Sequence, residues 1–377
     1  MRLHEPREPR LDVTGMRVVH VIATTAGGTG AHVGMLAAHL VDMGADVTVC
    51  GPPDTERVFG FVARGAHFVP VPIGALPHPH DLLTLRRLRR LGLDAGVVHA
   101  HSLRAAALAG LALPRGVPFV VTRHNAILET GLTRRLHEAL QRFTARRADV
   151  TMCVSGDLFD AVRRAGGTDV RRTFVTAPPL RRPERDRDAV RAELGADDRP
   201  LVLSVGRLHR QKDYPTLVAA AARLTDLVPQ PLFVIAGDGP ERKVLAALIA
   251  ATGAPVRLLG ERDDIPDLLG AADVLTLTSV WEAGSLAVQE GLRVGLPFVG
   301  TRVGALPDLV ADAGLLVSPG DARALSVQLR RVITDPELVE DMAQRALRRA
   351  AALPSDADAV HQVVAAYSAA VAASQDR

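Results

Sequence analysis

Lysine is almost missing from this chain: of its 45 basic residues, only Lys212 and Lys243 are lysine. Aromatic residues are nearly as scarce, at 3%. A nucleic-acid binder needs aromatic platforms for stacking and a clear excess of positive charge. Here 45 basic residues face 42 acidic ones, for a net charge of +3, so nucleic acid is not an expected partner. Cysteine is limited to Cys50 and Cys153, at or near the ends of apolar runs and without metal-like spacing. They read as small buried residues in a reducing compartment. No apolar run approaches the roughly 18–20 residues of a membrane span. The opening stretch MRLHEPREPRLDVTG is too charged and proline-broken for a signal peptide. Residues 1–15 read as a disordered extension, with Met16 as an alternative start, and the expected location is the cytoplasm.

What the chain does have is apolar material, 47% of 377 residues, enough for two cores. From Met16 onward, short apolar runs alternate with alanine- and leucine-rich stretches of helical period. RVVHVIAT (17–24), DVTVC (46–50), HFVPV (67–71), GVVHA (96–100), PFVVT (118–122), DVTMCV (149–154) and TFVT (173–176) read as strands. Near-continuous apolar strands suit a parallel sheet covered on both faces. APPLRRPERDRD (177–188) then reads as a linker. The pattern restarts with PLVLSV (200–205), PLFVIAG (231–237), PVRLLG (255–260), DVLTLT (273–278), PFVGT (297–301) and GLLVS (314–318). The expected architecture is α/β: two doubly wound Rossmann-like domains, 16–178 and 191–354, joined by a linker at 179–190 and facing a central cleft. The last helix, 355–377, is expected to pack back on the first domain.

Ligands of such sheets bind beyond the carboxyl ends of the strands. There the first strand runs into Gly27-Gly28-Thr29-Gly30, where backbone amides can approach a phosphate. A dinucleotide fingerprint would need glycine at position 33, which is Val33. In the second half, Gly206-Arg207-Leu208-His209-Arg210-Gln211-Lys212 places two cations on one strand-end loop. Arg207 and Lys212 there can clamp a diphosphate without a metal. Gly237-Asp238-Gly239-Pro240 and Gly260-Glu261-Arg262 end the next two strands on the same rim. SVWEAGSLAVQEGL (279–292) adds Glu282 ahead of Gly284-Ser285-Leu286, and Glu290 inside the helix that follows. Free amides at that helix start suit an anion, and each carboxylate can accept hydrogen bonds from sugar or ribose hydroxyls. The ligand this describes is a nucleotide sugar.

The succession GGTG, TRHN, GRLHRQK, GDGP, GERDDIPDLLGAADV, EAGSLAVQEG, GLPFVGTRVGALPDLV and GLLVSPGD resembles the retaining glycosyltransferases of family 4, which have the GT-B fold. The resemblance runs from Met16 to the last helix. It implies that Glu282 contacts the transferred sugar and Glu290 the ribose. Arg207, Lys212 and the backbone at Gly28 would hold the diphosphate, and the loop from Gly260 to Arg262 the base. Gly239, Gly284, Ser285 and Leu286 complete the implied donor site. His124 would lie beside the donor sugar and the acceptor, with His101, Arg123 and Asn125 as acceptor-side candidates. No cofactor is implied beyond the nucleotide-diphosphate-sugar donor. His99 and His101 look metal-like, but no third ligand follows them in sequence, and no metal is expected. Two departures stand out: Ala177-Pro178-Pro179-Leu180 replaces an Asn-Gly-Val-Asp-like run, and Gly284 fills a position that is often bulky.

The expected function is therefore metal-independent, retaining transfer of a sugar to a hydroxyl acceptor. A nucleotide-sugar epimerase of the same fold and a non-catalytic nucleotide-sugar-binding protein are the alternatives. Two helical stretches bear on the acceptor. DLLTLRRLRRLG (81–92) spaces Leu82, Leu85, Leu88 and Leu91 among Arg86, Arg87, Arg89 and Arg90. TRRLHEALQRFTARR (133–147) sets Leu136, Leu140 and Phe143 among five arginines. A solvated outer face and a surface for anionic lipid both fit such helices. The second reading implies a lipid-linked acceptor and peripheral contact at the inner face of the cell membrane.

Overall fold

The computed structural model describes residues 12–24, 27–74 and 77–376. Most of the expected N-terminal extension, 1–11, and Ala26 of the glycine-rich turn lie outside them. Residues 13–15 are not disordered as expected: Val13 is 1% exposed in the core and Gly15 N–H donates to Gly44 O at 2.8 Å.

Two compact units result. The first runs to Thr176 and takes in the segment from Pro354; the second spans Ala177–Leu353. Among the described residues the first unit holds a parallel sheet of β1 (Arg17–Ile22), β2 (Asp46–Gly51), β3 (His67–Pro70), β4 (Val97–His101), β5 (Phe119–Arg123), β6 (Val150–Cys153) and β7 (Val170–Arg172), in the order β3-β2-β1-β4-β5-β6-β7. The second holds β8 (Leu201–Val205), β9 (Leu232–Ala236), β10 (Val256–Gly260), β11 (Val274–Leu277), β12 (Phe298–Thr301) and β13 (Gly314–Val317), in the order β10-β9-β8-β11-β12-β13. In each sheet the order reverses beside its first strand, at β1/β4 and β8/β11. That is where open parallel sheets bind ligands.

β7 is not the expected TFVT. It is the polar edge strand just before it, and Thr173 N–H still donates to Cys153 O at 2.9 Å as the chain leaves the sheet. The helix Asp356–Gln375 belongs to the first unit. Val360, Val363, Val364, Tyr367 and Ala370 fill the core beneath one face of β1, β4 and β5. The segment read as a linker is instead part of the second unit. The amides of Glu184 and Arg185 donate to Asp267 Oδ1, Arg187 bonds Gly270 O, Ala272 O and Asp273, and Asp186 caps the helix Arg187–Leu194. Proline and arginine there serve tertiary hydrogen bonds rather than flexibility.

Candidate active site

In the second unit, the loops after β8 and β11 are fastened to each other. Gln211 does this twice: its O accepts from Val280 N–H at 2.8 Å, and its Nε2 donates to Trp281 O at 2.8 Å. Thr278 Oγ1 donates to Lys212 O at 2.8 Å. The result brings Lys212 Nζ to 2.5 Å from Glu282 Oε1, which also accepts from Ser279 Oγ at 2.5 Å. The carboxylate is nearly enclosed, with Glu282 6% exposed. Its backbone is fixed as well, because Ala305 N–H donates to Glu282 O at 2.9 Å. Gly304, at φ +53°, lies so close that a Cβ there would sit 1.9 Å from that oxygen. Sequence reading put Lys212 and Glu282 on one rim but missed Gln211 and Gly304, which set their contact.

Arg207 stands one residue beyond Gly206 on the same loop. Its side chain is exposed, and no carboxylate among the described residues pairs with it. Gly239 has a structural reason to be glycine: at φ +158° a Cβ would meet Leu208 O at 2.4 Å, so it lets β9's loop close on β8's. The guanidinium of Arg262 is held by Asp264 at 2.5–2.7 Å and by Glu193 at 3.3 Å, which leaves its main chain for any ligand. Ser285 is the N-cap of the helix Leu286–Arg293, yet its hydroxyl does not cap the helix. The first-turn amides, starting at Leu286, therefore lack an intrahelical acceptor. Gly284 precedes them, and its O accepts from Gln289 Nε2 at 3.2 Å. Glu290 lies inside this helix, half-buried. Burial pushes its carboxyl above the ordinary value, partly opposed by Arg293. Ala177-Pro178, the departure noted in the sequence, is anchored here too: Ala177 N–H donates to Gln289 Oε1 at 2.9 Å, Arg293 Nη2 donates to Ala177 O at 2.8 Å and Arg293 Nη1 to Pro178 O.

In the first unit, Gly28 opens the helix Gly28–Asp42, and nothing lies within 4 Å of where its Cβ would be. Gly30 differs, since a Cβ there would strike the Phe59 ring at 2.1 Å. One glycine of the turn is open to a ligand and the other is required by packing. At the ends of β4 and β5 lie His101, Arg123 and His124, all buried, while Asn125 is exposed. His101 and His124 belong to a cluster of five buried histidines. His20 pairs in register with His99, and His32 enters from the helix Gly28–Asp42. His20, His99 and His101 offer ligand atoms within 4.8 Å of one another. The third imidazole missing from local sequence thus comes from β1, and β-sheet register was the signal that could have found it. All of their nitrogens except His20 Nε2 are already engaged. His99 bonds Tyr367 OH at 3.0 Å and Thr122 Oγ1 at 2.7 Å; His101 bonds His20 Nδ1 at 2.9 Å and His124 Nε2 at 3.2 Å. Burial holds all five below the ordinary histidine value, His20 to about 3 and His32 to about 4, so the rings are neutral. Arg123 is the opposite case. Its Nε and Nη1 are buried without a hydrogen-bond partner, and burial lowers the guanidinium to about 10, still charged at neutral pH.

Comparison with known proteins identifies the family. The model of glycosyl transferases group 1 matches residues 186–349, and that of the glycosyl transferase 4-like domain matches 27–179. Alpha-D-kanosaminyltransferase of Streptomyces kanamyceticus is 31% identical over 84% of this chain and 86% of its own length. The chain belongs to the family 4 glycosyltransferases, with the GT-B fold. Alpha-maltose-1-phosphate synthase of Mycolicibacterium smegmatis is 30% identical over 82% of this chain and 87% of that protein. Among solved structures, Anabaena Alr3699/HepE in complex with UDP superposes with a TM-score of 0.76 at 20% identity, covering 93% of this chain and 98% of that one. No described helix is long and apolar enough to cross a membrane.

Removing Gln211 tests the loop fastening. In Gln211→Ala the loops lose the side-chain bond to Trp281 O but keep the backbone bond and that of Thr278, so the hold on Lys212 beside Glu282 loosens. Transfer should fall, by up to about a hundredfold for a displacement near 1 Å, while the melting temperature stays close to that of the parent. Full activity in the folded variant would remove Gln211 from the site.

Proposed function

We propose that this glycosyltransferase takes its sugar from a nucleotide-diphosphate-sugar and passes it, with retention and without a metal ion, to a hydroxyl of an anionic acceptor. The observation that carries the donor reading is the Lys212–Glu282 pair at the β8/β11 switch, with Arg207 exposed on the same loop. A lysine ammonium has three donors, and Glu282 takes one of them. The others, the Arg207 fork and the amides from Leu286 are suited to oxygens of a diphosphate. In the first unit, the open backbone at Gly28 is suited to a phosphate oxygen. Glu282 is assigned to the hydroxyls of the transferred sugar and Glu290 to those of the ribose. The UDP held by the Anabaena neighbour supports a nucleotide ligand. In the mechanism this favours, the departing phosphate is stabilised by Arg207, Lys212 and the amides and itself takes the acceptor proton, so no protein nucleophile is required.

Arg123 supports an anionic acceptor, since a buried guanidinium without a counter-charge is costly until an anion meets it. The membrane reading rests on fewer residues than the sequence suggested. Leu85, Leu88 and Leu91 pack on the core of the first unit, but Leu82, Leu83, Leu132 and Leu136 are exposed. These four leucines and the neighbouring arginines favour an acceptor linked to lipid.

Incubation with candidate donors in EDTA separates the readings. Metal-free transfer needs both donor and acceptor. An epimerase would release nucleotide without acceptor, a binder would release none, and activity restored only by Mg²⁺ or Mn²⁺ would overturn the phosphate clamp.

The two acids should differ by calorimetry with the bare nucleoside diphosphate. Glu290→Ala should weaken binding roughly ten- to a hundredfold through the lost ribose bonds. Glu282→Ala should leave binding intact or tighten it, because Lys212 is released, while turnover collapses. The reverse pattern would mean that the roles are swapped.

Flotation with anionic vesicles tests the lipid reading. Each basic residue near such a surface contributes about 1 kcal/mol, so reversing Arg86, Arg87, Arg89 and Arg90 to glutamate should release the protein. Parent protein that ignores these vesicles at low salt points to an acceptor free in solution.

A further inference from the structure

The family resemblance puts one of the five buried histidines, His124, beside the transferred sugar, yet three of them are joined in a row. His20 Nδ1 lies 2.9 Å from His101 Nε2, and His101 Nδ1 lies 3.2 Å from His124 Nε2. A neutral imidazole has one N–H and one bare nitrogen. Because both nitrogens of His101 are engaged, it must donate on one side and accept on the other, and the three protons are locked together. Only two arrangements satisfy both bonds. In the inward one, His124 and His101 each donate from Nε2, and His20 is left with an N–H at its own Nε2. In the outward one, His20 and His101 each donate from Nδ1, which leaves a bare Nε2 on His20 and an N–H at Nδ1 on His124.

The far end of the row decides between them. His20 Nε2 is buried and has no hydrogen-bond partner. A buried N–H without an acceptor is the rarer and costlier defect, and an unused acceptor is the milder one. The outward arrangement strands only a lone pair. It leaves the Nδ1–H of His124 without a partner among the described residues, free for a ligand. Neutral rings keep the row intact, and the charge of Arg123 beside His124 works against adding a further proton.

We infer that His20 and His101 are positioning residues that hold His124 as its Nδ1–H tautomer, so that His124 meets the transferred group as a hydrogen-bond donor and not as a base. A cation on His20, His99 and His101 would compete with this arrangement, but it would have to break the bonds of His99 to Tyr367 or Thr122 and those within the row. The consequence for transfer rests on the placement of His124 beside the transferred sugar. The tautomer itself does not, so the two can fail separately.

The test is a long-range proton–nitrogen correlation spectrum of protein labelled with ¹⁵N in its histidine rings, at neutral pH and without ligand. His124 should show a pyrrole-like Nδ1 and a pyridine-like Nε2, the reverse of the tautomer that free histidine prefers. His101→Phe should return His124 towards the Nε2–H form, with His20→Phe as a second variant that releases the same lock. In whichever variant folds, turnover should fall about 10- to 100-fold, the scale on which a metal-bound imidazole suffers from loss of its outer hydrogen-bond partner, with nucleoside diphosphate binding unchanged. A parent His124 protonated at Nε2 would overturn the inference. So would a His124 tautomer unmoved in a folded variant, or a stoichiometric transition metal whose removal shifts these resonances.

Discussion

A carboxylate taken out of water needs a counter-charge, and the second unit is arranged around meeting that need for Glu282. The acid comes from the loop after β11 and its partner, Lys212, from the loop after β8. Neither loop could hold the pair alone. The parallel register of β8 and β11 brings the loops side by side, Gln211 and Thr278 fasten them, and Gly304 lets a third loop close on the Glu282 carbonyl. Glycines at 237 and 239 serve the same end, since a Cβ at either would collide with the backbone of the Arg207 loop, at 2.1 and 2.4 Å. Motifs scattered over a hundred residues of sequence thus answer to one contact.

The strands were largely legible because buried parallel strands are apolar throughout, and that signal does not depend on distant partners. β7 was missed for the complementary reason. It is an edge strand reading VRR, and the more apolar TFVT beside it is buried where the chain leaves the sheet. The linker was misread because composition reports solubility and not partners. Asp267 and Asp273, which hold its amides and arginines, are some 80 residues away. Charged rims at strand ends were readable from sequence, as was the pairing of motifs by family resemblance. The imidazole cluster was not. His20, His32, His99, His101 and His124 meet only through strand register and the packing of one helix.

That cluster and Arg123 show two solutions to buried polarity at the same switch point of the first sheet. The histidines give up charge: burial drives them neutral, and hydrogen bonds among themselves, Thr122 and Tyr367 satisfy most of their nitrogens. Arg123 cannot take that course, because even lowered to about 10 it remains protonated. Its neighbour in register, Cys153, offers no counter-charge, since burial pushes that thiol up to about 12. A fully compensated interior does not strand a guanidinium. Two of the Arg123 donors stay buried and unpaired, a cost to stability that an anion would offset on binding.

The scarcity of lysine gains meaning at position 212. In a chain with only one other lysine, an arginine there could meet the Glu282 carboxylate through both prongs of its fork, in a bidentate pair that spends its best-aligned donors on the protein itself. An ammonium is compact and makes one contact at 2.5 Å, which leaves two donors that can turn towards another oxygen. The lysine stem is closely packed: a Cβ at Gly206 would come within 3.0 Å of Lys212 Cε, and the Tyr214 hydroxyl donates to Gly206 O at 3.0 Å. The residue type this chain nearly abandoned is kept where a point charge meets a buried acid and still has donors to spare.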